Sequence, residues 1–222
     1  MDSRLRVEFH SHTNASKDSL TTPAQFVAAC RRKGVDRVVI TDHNTTRGAR
    51  AVQSLAPDLV IIGEEIMTQQ GEILAAYVTE EIPKGLPALE VIRALRNQRA
   101  LISVSHPFDL TRSGHWKLPD LLAITPLVDA IEIFNARCIP NWFNKRAQAF
   151  ARSHGLAGTA GSDAHTAFEI GTATMLLPPF EDAEGLRLSL PEAEYHLKRA
   201  PLWVRLASRY AVLVRAKHFG RI

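Results

Sequence analysis

The sequence predicts an α/β fold closed into a barrel, and three observations predict it. Short apolar runs rich in Val, Ile and Leu alternate with helical patterns through the N-terminal two-thirds. The polar residues that stand out fall where those runs end: His10, His12, Asp42, His43, Glu64, Glu65, His106, Asn135, Asp163 and His165. Two matched segments, His10-Ser11-His12 and Asp163-Ala164-His165, lie at opposite ends of the series, each with two metal-competent side chains two residues apart. On a strand, residues i and i+2 point to the same side, so each segment aims two ligands at one point. The alternation implies a mostly parallel sheet covered by helices, with right-handed crossovers that put all strand C-termini on one side. An open sheet would keep the first and last ligands apart. A barrel brings them to one centre at the C-terminal ends of its strands.

Each element has its own signal. Arg4 to Phe9 reads as a strand. Thr22 to Gly34 reads as a helix, capped by Thr22, opened by Pro23 and ended by Gly34. Arg37-Val38-Val39-Ile40 is a β-branched strand, followed by a helix near Thr46 to Leu55. Leu59 to Ile62 and Ile73 to Val78 are strands. Pro87 to Asn97 is a helix with Leu89, Ile92 and Leu95 spaced for one face. Leu101 to Val104 and Ala130 to Phe134 are strands, and Asn141 to His154 is a helix. Leu156 to Ala160 and Thr172 to Leu177 close the series.

The 222 residues suit one domain with a large core, and 45% hydrophobic with 23% charged residues is an ordinary globular balance. No apolar run approaches the roughly 20 residues of a membrane span. Met-Asp-Ser-Arg enters a strand at once, so no secretory signal is expected. Two unpatterned cysteines, Cys30 and Cys138, point to a reducing, cytoplasmic setting. The net charge of +4 suits anionic substrates without arguing for nucleic acid. Residues 1–190 read as the chemistry-bearing domain. Residues 191–222 read as a basic helical tail packed on it, with Lys198, Arg199, Arg205, Arg209, Arg215, Lys217 and Arg221 in solvent. In that tail Leu202, Trp203, Leu206, Tyr210, Leu213 and Val214 recur at helical spacing. A membrane-surface or nucleic-acid contact is the alternative role for it.

A lone histidine at a strand end is usually structural, and Asp42-His43 alone could simply cap the next helix. Five strand ends carrying imidazole or carboxylate argue for metal. Adjacent carboxylates at Glu64 and Glu65 are costly unless a cation is near, and only one can face inward. Imidazole nitrogen with carboxylate oxygen suits zinc, manganese or iron. Six or more ligands exceed the needs of one tetrahedral ion, which argues for two or three ions with a bridging carboxylate. Ions about 3.5–4 Å apart clamp a phosphate and generate hydroxide near neutral pH.

Taken together, Phe9-His10-Ser11-His12-Thr13, Ile40-Thr41-Asp42-His43, Gly63-Glu64-Glu65-Ile66, Ser105-His106-Pro107 and Gly161-Ser162-Asp163-Ala164-His165 resemble the PHP domain, named for polymerases and histidinol phosphatases. The match runs from about Val7 to Met175. The resemblance implies a distorted seven-stranded (β/α)7 TIM-like barrel, a di- or trinuclear metal centre and phosphoester hydrolysis. Carried over by position, its metal ligands are His10, His12, Asp18, His43, Glu65, His106, Asp163 and His165. Glu65 would bridge two ions, with Glu64 outward or supporting a ligand from behind, and Asp42 orienting His43 or anchoring the strand end. One departure stands out. Many members place a histidine in the strand after the bridging glutamate, whereas Gln70-Gly71-Glu72-Ile73-Leu74-Ala75-Ala76-Tyr77 has none. Ile73 or Leu74 takes that place, Glu72 is a poorly registered substitute, and the ion count stays open between two and three.

The expected function is a metal-dependent phosphoesterase that hydrolyses a small phosphomonoester or nucleotide through a metal-activated hydroxide. Asp163 and His165 would handle protons as well as bind metal. Arg137 and then Arg112 are the candidates for phosphate recognition, each with a solvated surface arginine as its alternative reading. Asn135 would hydrogen-bond substrate or a ligand. The stretch from Pro107 to Leu127 is long enough to lie over the site. A 5'-3' exonuclease or phosphodiesterase on short oligonucleotides is the second enzymatic reading, though few aromatics sit near the motifs to stack bases. A metal-stabilised binding module without activity is the reading from a different class. The expected partner is a small phosphorylated molecule, and the oligomeric state stays open.

Overall fold

In the computed structural model, which describes residues 4–219, strands and helices alternate as the periodicities require. The order is β1 (Leu5–Glu8), α1 (Pro23–Arg32), β2 (Arg37–Ile40), α2 (Arg47–Gln53), β3 (Val60–Met67), β4 (Glu72–Ala76), α3 (Ala88–Asn97), β5 (Leu101–Val104), α4 (Leu118–Ile124), β6 (Ala130–Asn135), α5 (Trp142–His154), β7 (Ala157–Gly161), β8 (Ala173–Leu177), α6 (Ala183–Ser189), β9 (Glu194–Leu197) and α7 (Val204–Phe219). Local chemistry sets the boundaries. Thr22 and Gln25 form a reciprocal capping box at α1, with Pro23 in its first turn. Gly155, at φ 65°, ends α5 in the left-handed conformation.

The strands form one sheet in the order β7-β6-β5-β4-β3-β2-β1-β8-β9. The expectation of seven, mostly parallel strands is therefore corrected: among the described residues there are nine, and the eight pairings divide into four parallel and four antiparallel. The reason lies in the connections. Only four residues, Thr68 to Gly71, separate β3 from β4, with Gly71 N donating to Thr68 Oγ1 at 3.1 Å. A turn that short reverses the chain, whereas a parallel partner needs a crossover of a dozen residues or more.

The sheet curls until its first and last ligand-bearing segments meet. Ser11 and Ala164 form a parallel bridge, His12 N donates to Ala164 O at 2.8 Å, and Asp163 N donates to His10 O at 2.8 Å. Gly161 permits this approach, because a Cβ there would lie 2.3 Å from the His10 Cβ. Glu8 fastens the same junction, accepting from Ser162 N at 2.8 Å and Gly171 N at 2.9 Å. The barrel is filled by Val7, Phe9, Val39, Ile61, Leu74, Leu101 and Met175. Outside it, Ile66, Ile73, Ile102 and Ile131 pack under α3, α4 and α5, and Val38, Ile40 and Val60 pack under α1 and α2.

The C-terminal segment differs from its expected form in two ways. It opens with a strand, β9, which pairs antiparallel with β8. In α7 the residues turned to the body are Val204 and Ala211, while Leu206, Tyr210 and Leu213, and Trp203 just before the helix, are exposed. The recurrent large apolar residues thus lie away from the body. Polar contacts hold the helix instead: Arg205 Nη2 donates to Arg137 O at 2.7 Å and Arg215 Nη2 to Ser19 O at 3.1 Å. Arg221 and the side chain of Lys217 lie outside the described residues. No helix among the described residues is long and apolar enough to cross a membrane.

Candidate metal centre

The rim formed by the ends of β1, β2, β3, β5 and β7 gathers the histidines and carboxylates at one place. His10 Nε2 lies 3.1 Å from His12 Nε2, 3.3 Å from Glu65 Oε2 and 3.6 Å from Asp163 Oδ1. His12 Nε2 lies 3.2 Å from Asp163 Oδ1 and 3.5 Å from Glu65 Oε2. His43 places Nδ1 3.0 Å from Glu65 Oε2 and Nε2 3.5 Å from Asp18 Oδ2. His106 Nε2 is 3.2 Å from Glu65 Oε1, and His165 Nε2 is 3.1 Å from Asp18 Oδ2. All eight residues expected as ligands therefore meet. Asp18 comes from the loop after β1 and closes the side occupied by His43 and His165.

Glu65 sits in the middle, with one oxygen toward His10, His12 and His43 and the other toward His106. Glu64 points the opposite way, and its Oε2 accepts from Ile82 N at 3.0 Å. The alternation of side chains along β3 separates the two carboxylates. Asp42 does not reach the centre. It accepts from Thr13 N at 2.8 Å and Ser16 Oγ at 2.6 Å, and Ser16 Oγ in turn accepts from His43 N at 3.1 Å.

Three further carboxylates take part that the motifs do not reveal. Glu132, in the middle of β6, lies 2.9 Å from His10 Nδ1 and accepts from His106 N at 2.8 Å. Glu72, at the start of β4, reaches within 3.4 Å of His106 Nε2. Glu169 accepts from His165 N at 3.1 Å and Thr166 N at 3.0 Å. The signal for the first was a charged residue inside an otherwise apolar strand; Glu169 had none.

Hydrogen bonding fixes the tautomer of His10. Its Nδ1 faces the Glu132 carboxylate, which accepts, so Nδ1 carries the hydrogen and Nε2 keeps its lone pair for the centre. His165 Nδ1 lies between an acceptor, the Asp163 carbonyl oxygen at 2.8 Å, and a donor, Arg137 Nη1 at 3.0 Å.

The electrostatics are those of a tightly compensated site. Burial disfavours charge on Asp163, but Arg112 and His10 overcome it and hold the carboxyl well below the usual range. Burial likewise opposes charge on Glu65, and His10 and His43 hold its carboxyl low. Burial, with His165 and His43 beside it, pushes His12 well below the ordinary imidazole value. Glu65 Oε2, Asp163 Oδ1 and His106 Nε2 are buried and have no hydrogen-bond partner. Buried polar atoms are satisfied as a rule. Three such atoms converging among imidazole nitrogens form a donor set that fits divalent cations. Three overlapping trios have ligand atoms within 4.8 Å of one another: His10–His12–Asp163, His12–His43–His165 and His43–Glu65–Glu72.

The residues expected to bind substrate divide. Arg112 sits at the rim with its side chain 22% exposed, Nη2 donating to Asp163 Oδ2 and Nε 3.4 Å from Asp109 Oδ2. Arg137 is buried. Its Nε donates to Glu169 Oε1 at 2.7 Å, and its Nη2 donates to Val204 O at 3.1 Å and Ser208 Oγ at 2.8 Å. That arginine is committed to the protein, which corrects its reading as a phosphate binder. Asn135 is buried too, and its Nδ2 donates to Asp163 Oδ2 at 3.2 Å and Glu132 Oε2 at 3.2 Å. It orients two carboxylates and does not face the opening. Beside the centre a cleft of about 720 Å³ is lined by Lys17, Asp18, His43, Glu72, Lys84 and Arg112, among others.

A family model described as PHP-associated matches residues 141–192. The chain is 33% identical over 172 residues to an uncharacterized protein of Methanocaldococcus jannaschii, covering 76% of this chain and 69% of that one. The fold is similar to a two-domain protein of Bacteroides vulgatus that contains a predicted PHP-like metal-dependent phosphoesterase, with a TM-score of 0.69 at 18% identity. That likeness covers 87% of this chain and 65% of the other. It is also similar to the lesion-specific endonuclease PfuEndoQ of Pyrococcus furiosus, with a TM-score of 0.59 at 14% identity, over 86% of this chain and 57% of that one. At such identities the structural likeness speaks for the fold alone. The ordered motifs, the residues they bring to one rim and the family match agree, and the chain belongs to the PHP-domain family.

Proposed function

We propose that this protein is a metal-dependent phosphoesterase acting on a small phosphomonoester. The observation that carries the reading is the convergence of unpartnered Glu65, Asp163 and His106 atoms beside a cleft that carries Lys17, Lys84 and Arg112. The buried anions and imidazoles suit two or three divalent cations, and the cations at the rim suit an incoming phosphate. When bound, such ions supply Lewis acidity toward phosphoryl oxygens and lower the pKa of water.

The protein's own residues do the rest. His10, His12, Asp18, His43, Glu65, His106, Asp163 and His165 would hold the ions. Glu132 and Asn135 fix the orientation of His10 and Asp163. Arg112 is bound to Asp163 on one side and faces the cleft on the other, where it can donate to a phosphoryl oxygen as charge builds on it. Asp163, which Arg112 contacts, and His165 are the proton-handling pair in this reading. Residues 191–222 belong to the same domain in this reading, because α7 contacts the segment that carries Arg137.

The cleft favours a small substrate. Its lining residues are polar or small, with Met67 as the large apolar member, and offer no aromatic platform for stacked bases. Zinc, manganese and iron all fit the donors. The test is hydrolysis of an aryl phosphate monoester and of the matching diester by metal-loaded protein. Faster monoester hydrolysis supports the reading. Diester preference would favour the exonuclease reading, and hydrolysis of neither by protein with bound metal would leave a binding module.

A further inference from the structure

We propose that Glu72 is itself a metal ligand, forming with Glu65 and His43 a carboxylate-rich position that takes an oxygen-preferring divalent ion such as Mn²⁺ ahead of Zn²⁺. This rests on the metal-centre reading above and assigns the chemistry of one of its positions.

The antiparallel direction of β4 brings Glu72 there. In the β3–β4 register Glu65 faces Leu74, and Glu72 lies two residues from Leu74 on the same face. Because β4 runs opposite to the parallel strands, its first residue lies at the rim where their last residues lie. The Glu72 side chain is 9% exposed, with Oε2 3.4 Å from His106 Nε2.

The protein grips the backbone of Glu72 and leaves its charge to the centre. Glu72 N donates to Gly114 O at 3.0 Å, and Glu72 O accepts from Ser105 N at 3.1 Å and Trp116 Nε1 at 3.0 Å. Gly114 lies so close over the carboxylate that a Cβ would come 2.1 Å from Oε2. Arg112, the nearby cation, is engaged with Asp163 and Asp109. Two buried carboxylates, Glu65 and Glu72, therefore share one locality, with His106 Nε2 3.2 Å from the first and 3.4 Å from the second. Such a pair is costly unless an ion or proton neutralises it.

Donor composition sets the metal preference. The His12–His43–His165 trio offers three nitrogens, and His10–His12–Asp163 offers two nitrogens and one oxygen. His43–Glu65–Glu72 offers one nitrogen and two carboxylates. Imidazole suits zinc and iron, whereas carboxylate suits manganese and magnesium, so the Glu72 position is the one tuned toward the harder ion.

The experiment is a titration of chelator-stripped protein with Mn²⁺ alone, followed by electron paramagnetic resonance, and then with Zn²⁺ alone, followed by calorimetry. Wild type, Glu72→Gln and Glu72→His are compared, each with a thermal melt to confirm folding. Expected for Glu72→Gln is the loss of one Mn²⁺ equivalent, or weakening beyond the roughly 100-fold that an outer-shell change can produce. Expected for Glu72→His is recovery of that equivalent with preference moved toward Zn²⁺. Unchanged Mn²⁺ stoichiometry and affinity in both folded variants would overturn the assignment and leave the phosphoesterase reading standing. A wild type that binds neither ion would overturn both.

Discussion

Arg137 and Glu169 form a buried ion pair, Nε donating to Oε1 at 2.7 Å, that joins the last helix to His165 of the candidate metal centre. Glu169 uses its other oxygen to hold His165 N and Thr166 N, while Arg137 holds Val204 O and Ser208 Oγ of α7. Removing one member of a buried pair leaves the other charge unpaired. Arg137→Met is therefore expected to destabilise the fold by about 3–5 kcal/mol. It should also weaken metal binding at His165, because the backbone that carries the ligand loses its anchor. Chemical denaturation and a metal titration of the same variant check this. Wild-type stability would show that the pair is dispensable.

Arg112 occupies a different position and should behave differently. Its guanidinium meets Asp163 but stays partly exposed at the cleft. Arg112→Lys keeps the charge and loses the planar fork. The expected result is a loss of roughly 100-fold in kcat/KM toward a phosphomonoester, the scale set by removing one transition-state donor. Metal stoichiometry should stay at the wild-type value, and inorganic phosphate should inhibit the variant less strongly. Steady-state kinetics with phosphate as inhibitor provides the measurement.

Glu64 gives a pH signature. Burial pushes its carboxyl up to about 7 from the ordinary 4.5, against a single backbone hydrogen bond from Ile82, and Glu81 adds to the rise. A folded-state pKa above the unfolded one means that the native state binds the proton more tightly. The stabilisation is complete below the unfolded value and is lost as pH rises through about 7. Its size is on the order of 3 kcal/mol. Glu64→Gln keeps an acceptor for Ile82 N and removes the titration. The variant should be the more stable protein at pH 8 and match wild type more closely at pH 5. Melting curves of both proteins in the same metal-free buffers, compared as differences, check the sign.

Much of the centre was legible because its ligands follow apolar strands. His10, His12, His43, His106, Asp163 and His165 each follow a strand end, and strand ends meet in a barrel; Glu65 lies within the last residues of β3. Asp18 was legible only through the resemblance, since nothing in Ala15-Ser16-Lys17-Asp18-Ser19 separates it from an ordinary loop carboxylate. The nine-stranded sheet was harder to read. Strand direction depends on the connections, and the reversal between Thr68 and Gly71 was hidden in a segment without Pro or Asn. That same reversal is why Glu72 read only as a poorly registered substitute: β4 runs antiparallel to β3 and brings its first residue to the rim. Arg137 was misjudged because its partners, Glu169 and Ser208, come from distant segments that sequence spacing cannot bring together. In the tail, the large apolar residues of α7 suggested a buried face, yet small Val204 and Ala211 make the contact and polar bonds hold the helix.

The most direct test of the central claim is aryl phosphate hydrolysis by one protein sample in three states: as purified without chelator, after chelator stripping, and after return of Mn²⁺ or Zn²⁺, with His10→Ala carried through in parallel. The account predicts hydrolysis that disappears on stripping and returns with the ion in wild type, and folded but inactive His10→Ala throughout. Hydrolysis that survives stripping, or that persists in His10→Ala, would contradict it.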